Sequence, residues 1–344
     1  MKSLDRNCYN PPFSHIYVER AAAEHPVTER ILARFPHAAV ILIEHYKDVF
    51  CRRGQDYVLQ HGAQNLILAK KRGTLLYEGA PVCQSFGNDN FYYTSCVMNC
   101  VYDCEYCYLK GMYPSGNLVI FVNLEDIFAE TKRRLAGRPM YLCVSYDTDL
   151  AAVEPITGYV SEWVKFVRAQ NVGCPGQLKI ELRTKSADGR LWSSLAPEEG
   201  VICAFTLSPQ AVIDACEHRT PSLLQRIESA AAALAAGFSV RLCFDPMIFC
   251  KDWKEQYAAM TEQVFFRIPA EKLMDVSVGS FRISQEYLKK MRRCEPDSAV
   301  VQFPFRNEGG FYQYPPELME EMERYLAERL TEHMPPERIF RWKA

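Results

Sequence analysis

Between Met140 and Phe281 the chain carries MYLCVS (140–145), LKIELR (178–183), VICAFTL (201–207), SVRLCFD (239–245) and DVSVGSF (275–281). These runs decide the fold. Each is short, rich in β-branched or aromatic residues, and of the length of one strand. FYYTS at 91–95 is a sixth run of the same kind. Stretches of helical period lie between most of them. From Leu124 to Leu135, residues Ile127, Phe128, Thr131 and Leu135 share a face; from Ile156 to Ala169, residues Val160, Trp163, Val164 and Val167 form one stripe. A further helix starts at Ser222, with Gln225 completing a capping box, and stops near Gly237. Strands alternating with helices predict a parallel sheet joined by right-handed crossovers. A full eight-unit barrel takes about 250 residues, and six units over roughly 200 residues suit a partial barrel or an open doubly wound sheet. In either, ligands gather at the carboxyl ends of the strands.

Outward from this core, residues 1–90 read as an α/β extension, with VILIE (40–44) and NLILAK (65–70) as strands beside a helical stretch from Val27 to Phe35. Residues 296–344 carry no further βα unit by this reading. They hold the loop FPFRNEGGFYQYPP (303–316) and an amphipathic helix from Glu317 to about His333. No low-complexity linker separates these regions from the barrel at 91–295, so all three are expected to pack as one body.

The 344 residues are 48% hydrophobic and 24% charged, which excludes a disordered chain, collagen and coiled coil. Forty basic residues against 42 acidic ones give a formal charge of −2, so any grip on nucleic acid is local. The stretch Met1 to His15 lacks an apolar signal core, and no apolar run reaches the about 18 residues that span a bilayer. A cytoplasmic protein with reduced thiols is expected. Its 14 cysteines then read, where clustered, as ligands or reactive groups rather than bridges.

The cluster is TSCVMNCVYDCEYCYLKG at 94–111: Cys100, Cys104 and Cys107 form C-x3-C-x2-C, with Cys96 upstream. Thiolates are soft ligands for zinc, copper(I) and iron–sulfur clusters. Three of them can hold three irons of a [4Fe–4S] cube and leave the fourth free to bind and activate a ligand. Zinc remains the rival, with Cys96 as fourth ligand. Zinc loops more usually pair two knuckles or add histidines, and here no histidine lies between His61 and His218.

C-x3-C-x2-C directly after the first strand of a partial α/β barrel resembles the radical SAM superfamily. CEYCYLK (104–110) followed by NLVIFVNLEDI (117–127) resembles, more narrowly, the spore photoproduct lyase family. The resemblance runs from residue 90 to the C-terminus and is strongest at 100–125 and 200–246. It implies a partial (β/α)6 barrel of the radical SAM type with an N-terminal α/β extension. It also implies a DNA-repair lyase that reverses the spore photoproduct (5-thyminyl-5,6-dihydrothymine) to two thymines with a 5′-deoxyadenosyl radical derived from S-adenosyl-L-methionine (SAM).

Carried over residue by residue, the resemblance makes Cys100, Cys104 and Cys107 ligands of a [4Fe–4S] cluster whose open iron is chelated by SAM. It makes Cys143 the hydrogen donor and Tyr106 and Tyr108 the relay that restores it; it places Ser145, Lys185 and Thr206 against SAM. From the residues alone, Cys143 reads first as a buried strand thiol, and the tyrosines equally as aromatic packing. The stretch ACEHRTPSLLQRIESAAAALAAGF matches a family segment through Glu217, Thr220 and Ser222, of which Ser222 is assigned to helix capping. The family inserts a C-terminal hairpin into damaged DNA; here that is Phe303 to Tyr314, with Arg306 at its centre and Phe311, Tyr312 and Tyr314 for stacking. KKMRR (289–293) and KRG (71–73) read as phosphate contacts or as solvated faces. The implied partners are UV-damaged DNA and a reducing electron donor such as flavodoxin or ferredoxin, with no membrane and a monomeric protein. The sequence departs from the family at Asn99, where glycine is usual, at the extra Cys96, at Tyr146, where an acidic residue is usual after Ser145, and in a hairpin poor in basic residues. Two other functions fit the same cysteines: a radical SAM paralogue with another substrate, and a non-catalytic zinc-binding nucleic-acid module.

Overall fold

The six runs read as strands lie side by side in a computed structural model that describes residues 13–79, 83–135 and 137–341. They are β5 (Phe91–Tyr93), β9 (Met140–Cys143), β10 (Leu178–Thr184), β11 (Val201–Thr206), β13 (Ser239–Met247) and β14 (Asp275–Ser280). All five successive pairings are parallel. A short β4 (Tyr77–Glu78) lies antiparallel on β5 at one edge. At the other edge β18 (Ile339–Arg341) lies parallel on β14. The sheet does not close, so the architecture is the expected partial barrel.

The last strand corrects one expectation. Helix α6 (Pro316–Thr331) leads back to β18, so a further helix–strand unit does follow residue 295. Three residues, Ile-Phe-Arg, are too few to show a period of two, and Glu337 and Arg338 precede them.

The crossovers are the helices that the periodicity marked. Helix α3 covers Leu124–Leu135 and α4 covers Tyr159–Asn171, with Val160, Trp163, Val164 and Val167 buried. Helix α5 (Leu223–Ala235) is opened by the Ser222/Gln225 capping box, and Gly237 beyond its end has φ +92°.

Alternation along the strands sets what the concave face carries. Leu142, Ile180, Leu182, Leu242, Phe244 and Val276 belong to the main hydrophobic core. Their alternate neighbours Tyr141, Cys143, Glu181, Arg183, Asp245 and Ser277 line an interior cavity, as a period of two requires. Below the cavity Arg241 is 1% exposed. It is bound to Asp275 at 2.8 Å and to Glu181 at 2.7 Å, and Tyr141 donates to Glu181 as well.

A second sheet has the order β2-β1-β3-β8-β6. Its strands are β1 (His15–Glu19), β2 (Ala39–Ile43), β3 (Leu66–Ala69), β6 (Val97–Met98) and β8 (Leu118–Phe121), with α1 (Pro26–Arg34) between β1 and β2. Strands β6 and β8 flank the cysteine loop, so both its ends are anchored in this sheet. Among the described residues no helix is long and apolar enough to cross a membrane.

Replacing Arg241 by Leu strands the buried Asp275 carboxylate and leaves Glu181 with Arg183 as its remaining cation. The loss of unfolding free energy is expected at about 3–5 kcal/mol, measured by urea denaturation of the metal-free protein. A loss below about 1 kcal/mol would show that the network does not hold the sheet together.

Candidate active site

Above the Arg241 network, at the carboxyl ends of the strands, lies a cavity of about 450 Å³, within the roughly 300–1,000 Å³ usual for ligand sites. It gathers Cys100, Cys104, Tyr106, Cys107, Tyr108, Cys143, Ser145, Lys185 and Thr206, which are all of the sequence-derived site residues except Arg306.

One wall is the cysteine loop, which leaves β6 through Asn99. That residue has φ +68°, a left-handed conformation that glycine and asparagine tolerate best, which accounts for asparagine at a glycine position. Its amide also donates to the carbonyls of Ser115 at 2.7 Å and Asn117 at 2.6 Å, closing the base of the loop. Further on, β7 (Asp103–Cys104) pairs antiparallel with β12 (Glu217–His218), and the Glu105 amide donates to the Cys216 carbonyl at 2.9 Å.

Burial raises the thiols of Cys100 and Cys107, and pushes Cys104 up to about 12 against the opposing pull of Lys185. Without a metal these three are therefore thiols. A soft metal that replaces their protons removes the cost of burying thiolate charge, so the donor set fits an iron–sulfur cluster. Among the described residues no three His, Cys, Asp or Glu side chains are arranged to hold a single metal ion. A four-iron cube takes one thiolate per iron and needs no such convergence. The buried hydroxyl of Thr148, also in the cavity wall, has no hydrogen-bond partner, which suits a polar ligand beside the cysteines.

The facing wall is built by the strand ends. Cys143 is register-paired with Tyr93 and Glu181 and is 8% exposed. Burial, then the Glu181 carboxylate, raises its thiol far above the usual range, so it stays S–H. Ser145 donates to the Arg183 carbonyl at 3.0 Å and accepts from the Arg183 amide at 2.7 Å. Its one proton is thus committed to the neighbouring strand, and toward a ligand it can only accept. The Lys185 ammonium lies 5.6 Å from the centre of the Tyr106 ring. Burial works against its charge, but Cys104 and Glu217 outweigh that and raise its pKa. The Thr206 carbonyl accepts from Arg226 at 3.3 Å. The two tyrosines flanking Cys107 anchor in opposite directions: Tyr106 donates to the Glu217 carboxylate and Tyr108 to the Tyr146 carbonyl.

Several residues in this wall went unread in the sequence. Asp149 accepts from Thr184 at 2.7 Å, the Lys185 amide at 2.6 Å and the Ala152 amide at 3.0 Å. Two buried carboxylates, Asp147 and Asp149, follow Tyr146, and of these Asp149 lines the cavity. The only signal for them was the polar run Ser145 to Asp149 at a strand end. Cys83 reaches the cavity from before β5, 3.6 Å from the Tyr146 hydroxyl, and no motif marked it.

The C-terminal loop is a hairpin of β16 (Arg306–Glu308) and β17 (Phe311–Gln313), turned at Gly309 and Gly310 with φ +58° and +89°. It pairs with β15 (Arg282–Ser284). Phe311 lines the cavity, whereas Arg306 is exposed outside it. Tyr314 cannot stack on a base: it is 1% exposed, and its hydroxyl accepts from the Phe249 amide at 3.0 Å. Tyr312 is half-buried, with the Arg292 guanidinium 5.9 Å from its ring centre.

The family model described as Spore photoproduct lyase matches residues 11–340. A curated spore photoproduct lyase of Clostridium acetobutylicum is 23% identical over 332 residues, covering 93% of this chain and 95% of that protein. One of Geobacillus sp. (strain Y412MC61) is 19% identical over 269 residues, covering 76% of each. A solved spore photoproduct lyase complexed with dinucleoside spore photoproduct superposes with a TM-score of 0.78 at 17% identity, covering 96% of this chain and 99% of that one. A mutant with bound AdoMet and the same dinucleoside gives the same TM-score, identity and coverage.

Glu217 makes the site sensitive to acid. Burial would raise its carboxyl, but Lys185 and Arg226 outweigh burial and, with the Ser208 and Tyr106 hydroxyls, hold it down to about 2. Its stabilising contribution is present above the unfolded value of about 4.3 and is lost as pH falls toward the folded one. Unfolding free energy of the metal-free protein should fall across that window, and the fall should be shallower in Glu217→Gln.

Proposed function

We propose, on the premise that the chain belongs to the spore photoproduct lyase family, that it is a DNA-repair lyase. It returns the spore photoproduct to two thymines. The observation that carries this reading is the convergence of the C-x3-C-x2-C thiols and the Cys143 thiol on one buried cavity. The solved relatives named for AdoMet and the dinucleoside lesion support the same choice of ligands.

In this reading Cys100, Cys104 and Cys107 hold a [4Fe–4S] cluster, and Ser145, Lys185, Thr206 and Thr148 receive SAM. The Lys185 ammonium suits its carboxylate, and the Thr148 hydroxyl offers the unspent donor that Ser145 lacks. When bound, cluster and SAM would supply a carbon-centred radical able to take a hydrogen from the lesion. The protein's own part is to exclude water from that radical and to finish the reaction. Once the methylene bridge has broken, Cys143 gives the hydrogen of its S–H to the product radical: a C–H bond forms and the unpaired electron passes to sulfur. Tyr106 and Tyr108, at the same cavity, pass a hydrogen back toward that sulfur, and the phenoxyl radical left on tyrosine would be quenched by the hydrogen first taken from the lesion. The exposed Arg306 contacts the DNA backbone while Phe311 borders the cavity into which the dinucleotide turns. The reductant is a low-potential donor of the flavodoxin or ferredoxin kind. The protein works as a monomer in the cytoplasm, with segments 1–90, 91–295 and 296–344 acting as one unit.

Anaerobic reconstitution with iron and sulfide should give a brown protein whose visible absorption bleaches on reduction. With SAM it should release two thymidines from the dinucleoside spore photoproduct. Colourless protein that holds zinc would overturn the radical chemistry. An intact cluster with bound SAM and no release would point to a paralogue with another substrate.

Cys143→Ala should still consume the lesion but leave the product radical unquenched, so side products replace clean thymidine in the chromatogram. Clean repair by this variant would make Cys143 a packing residue.

A further inference from the structure

The cysteine loop is gripped from behind by side chains that do not line the cavity. Helix α2 (Tyr57–Gly62) and the residues after it lie against its outer side. The His61 imidazole is 2% exposed, with Nε2 3.0 Å from the carbonyl oxygen of Cys100. A carbonyl only accepts, so Nε2 carries the proton. Gln64, also buried, donates its amide to the same carbonyl at 3.0 Å and to the Gly116 carbonyl at 2.9 Å. Both lone pairs of the Cys100 carbonyl are thereby taken by side chains from 36 and 39 residues upstream.

The grip extends around this pair. Gln60 accepts from the Ser115 hydroxyl at 2.9 Å and the Gly116 amide at 3.1 Å, and Tyr57 donates to the Asn99 side chain at 3.3 Å. The fit is close: a Cβ at Gly116 would stand 2.5 Å from the His61 amide nitrogen and from the Tyr57 carbonyl oxygen. From the other side Arg219 donates to the His61 carbonyl at 3.2 Å. The second ring nitrogen of His61 has no hydrogen-bond partner among the described residues and stands 3.7 Å from Asp103, which is itself paired with Lys110 at 2.8 Å, so the ring's one hydrogen bond is the one to Cys100.

Burying an imidazole and a carboxamide is costly unless their polar atoms are bonded, and simple packing of a helix on a loop would use apolar residues there. We infer that His61 and Gln64 are positioning residues for Cys100. They fix its peptide plane so that the thiol stays aimed at the cavity, and their donor dipoles offset the lone pairs that this carbonyl would otherwise leave exposed behind the cluster. This rests on the reading that the three cysteines hold a cluster. It gives the N-terminal segment a part in cluster chemistry, because partners outside the ligand shell set ligand orientation and redox poise.

The test uses full-length protein reconstituted anaerobically. His61→Phe keeps an aromatic ring beside Tyr57 without the donor, Gln64→Leu removes the amide, and His61→Gln restores a donor. Gln60→Leu serves as control, since Gln60 holds the same loop but no cysteine. For the His61→Phe/Gln64→Leu pair, chelator-driven loss of iron should run about 10- to 100-fold faster than in the parent. Its cluster midpoint potential, followed by EPR, should move to more negative values. His61→Gln should recover most of both, and Gln60→Leu should leave the potential in place. Parent-like potential and iron retention in the double variant would overturn the inference, as would an equal shift in Gln60→Leu. If the double variant does not fold, Gln64→Leu alone decides by the same two readings. Failure of the parent to take up iron would strike the functional proposal instead.

Discussion

Arg241 and Glu181 meet across the concave face of the sheet. Arg241 lies on β13 and Glu181 on β10, with β11 between them, and Asp275 lies on β14 on the other side. Two strand spacings come to about 9.6 Å, and the residue of the intervening strand in register with Arg241 is the small Ala204. Across a concave face the distance shortens and the contact closes at 2.7 Å. Arg183 on β10 reaches Asp245 on β13 at 3.0 Å in the same way, one layer nearer the carboxyl ends. These bonds tie the partial barrel across its hollow side, where no backbone ladder can. A buried ion pair is weak evidence of stability in itself; here its role is geometric, because it joins strands that are not neighbours in the sheet.

Curvature then sets the chemistry of the space above. The charged layer fills the bottom of the hollow, so the cavity is confined to the carboxyl ends, where the cysteine loop covers it. Confinement desolvates every thiol there. For Cys143 that keeps the proton on sulfur, as a hydrogen-atom donor needs. For Cys100, Cys104 and Cys107 it makes the empty, ionised state unfavourable and the metal-bound state the natural one. A single physical condition would thus serve both roles proposed here, because what differs is whether the sulfur has a metal to lean on.

Much of this was legible in the sequence, and the remainder was not for identifiable reasons. The six strands and their helices were visible because β-branched runs and 3.6-residue stripes are local signals. The motif cysteines were visible because their spacing is local too, whereas Lys185 came only through the family resemblance. Glu181 and Arg241 were passed over because each sits inside an apolar run, and only the curvature tells that alternate positions face a hollow. Strand β18 was too short to have a period. Asp149 and Cys83 carry no spacing that marks them, and Tyr314 looks the same in sequence as Phe311, although one is core and the other borders the cavity.

The cysteine loop itself belongs to neither sheet alone. It leaves through β6 and returns through β8, both in the N-terminal sheet, while its middle, β7, is laddered onto β12 beside the strand ends of the barrel. Three thiols a few residues apart need a backbone held on both sides if they are to face one cavity, and a free loop would lose that order to conformational entropy. The β6–β8 ladder fixes the ends, the β7–β12 ladder fixes the middle, and Asn99 supplies the left-handed turn between them. The N-terminal sheet is therefore part of the apparatus that shapes the cysteine loop, and the sequence could not show it, since the contacts join residues from 57 to 219 that share no motif.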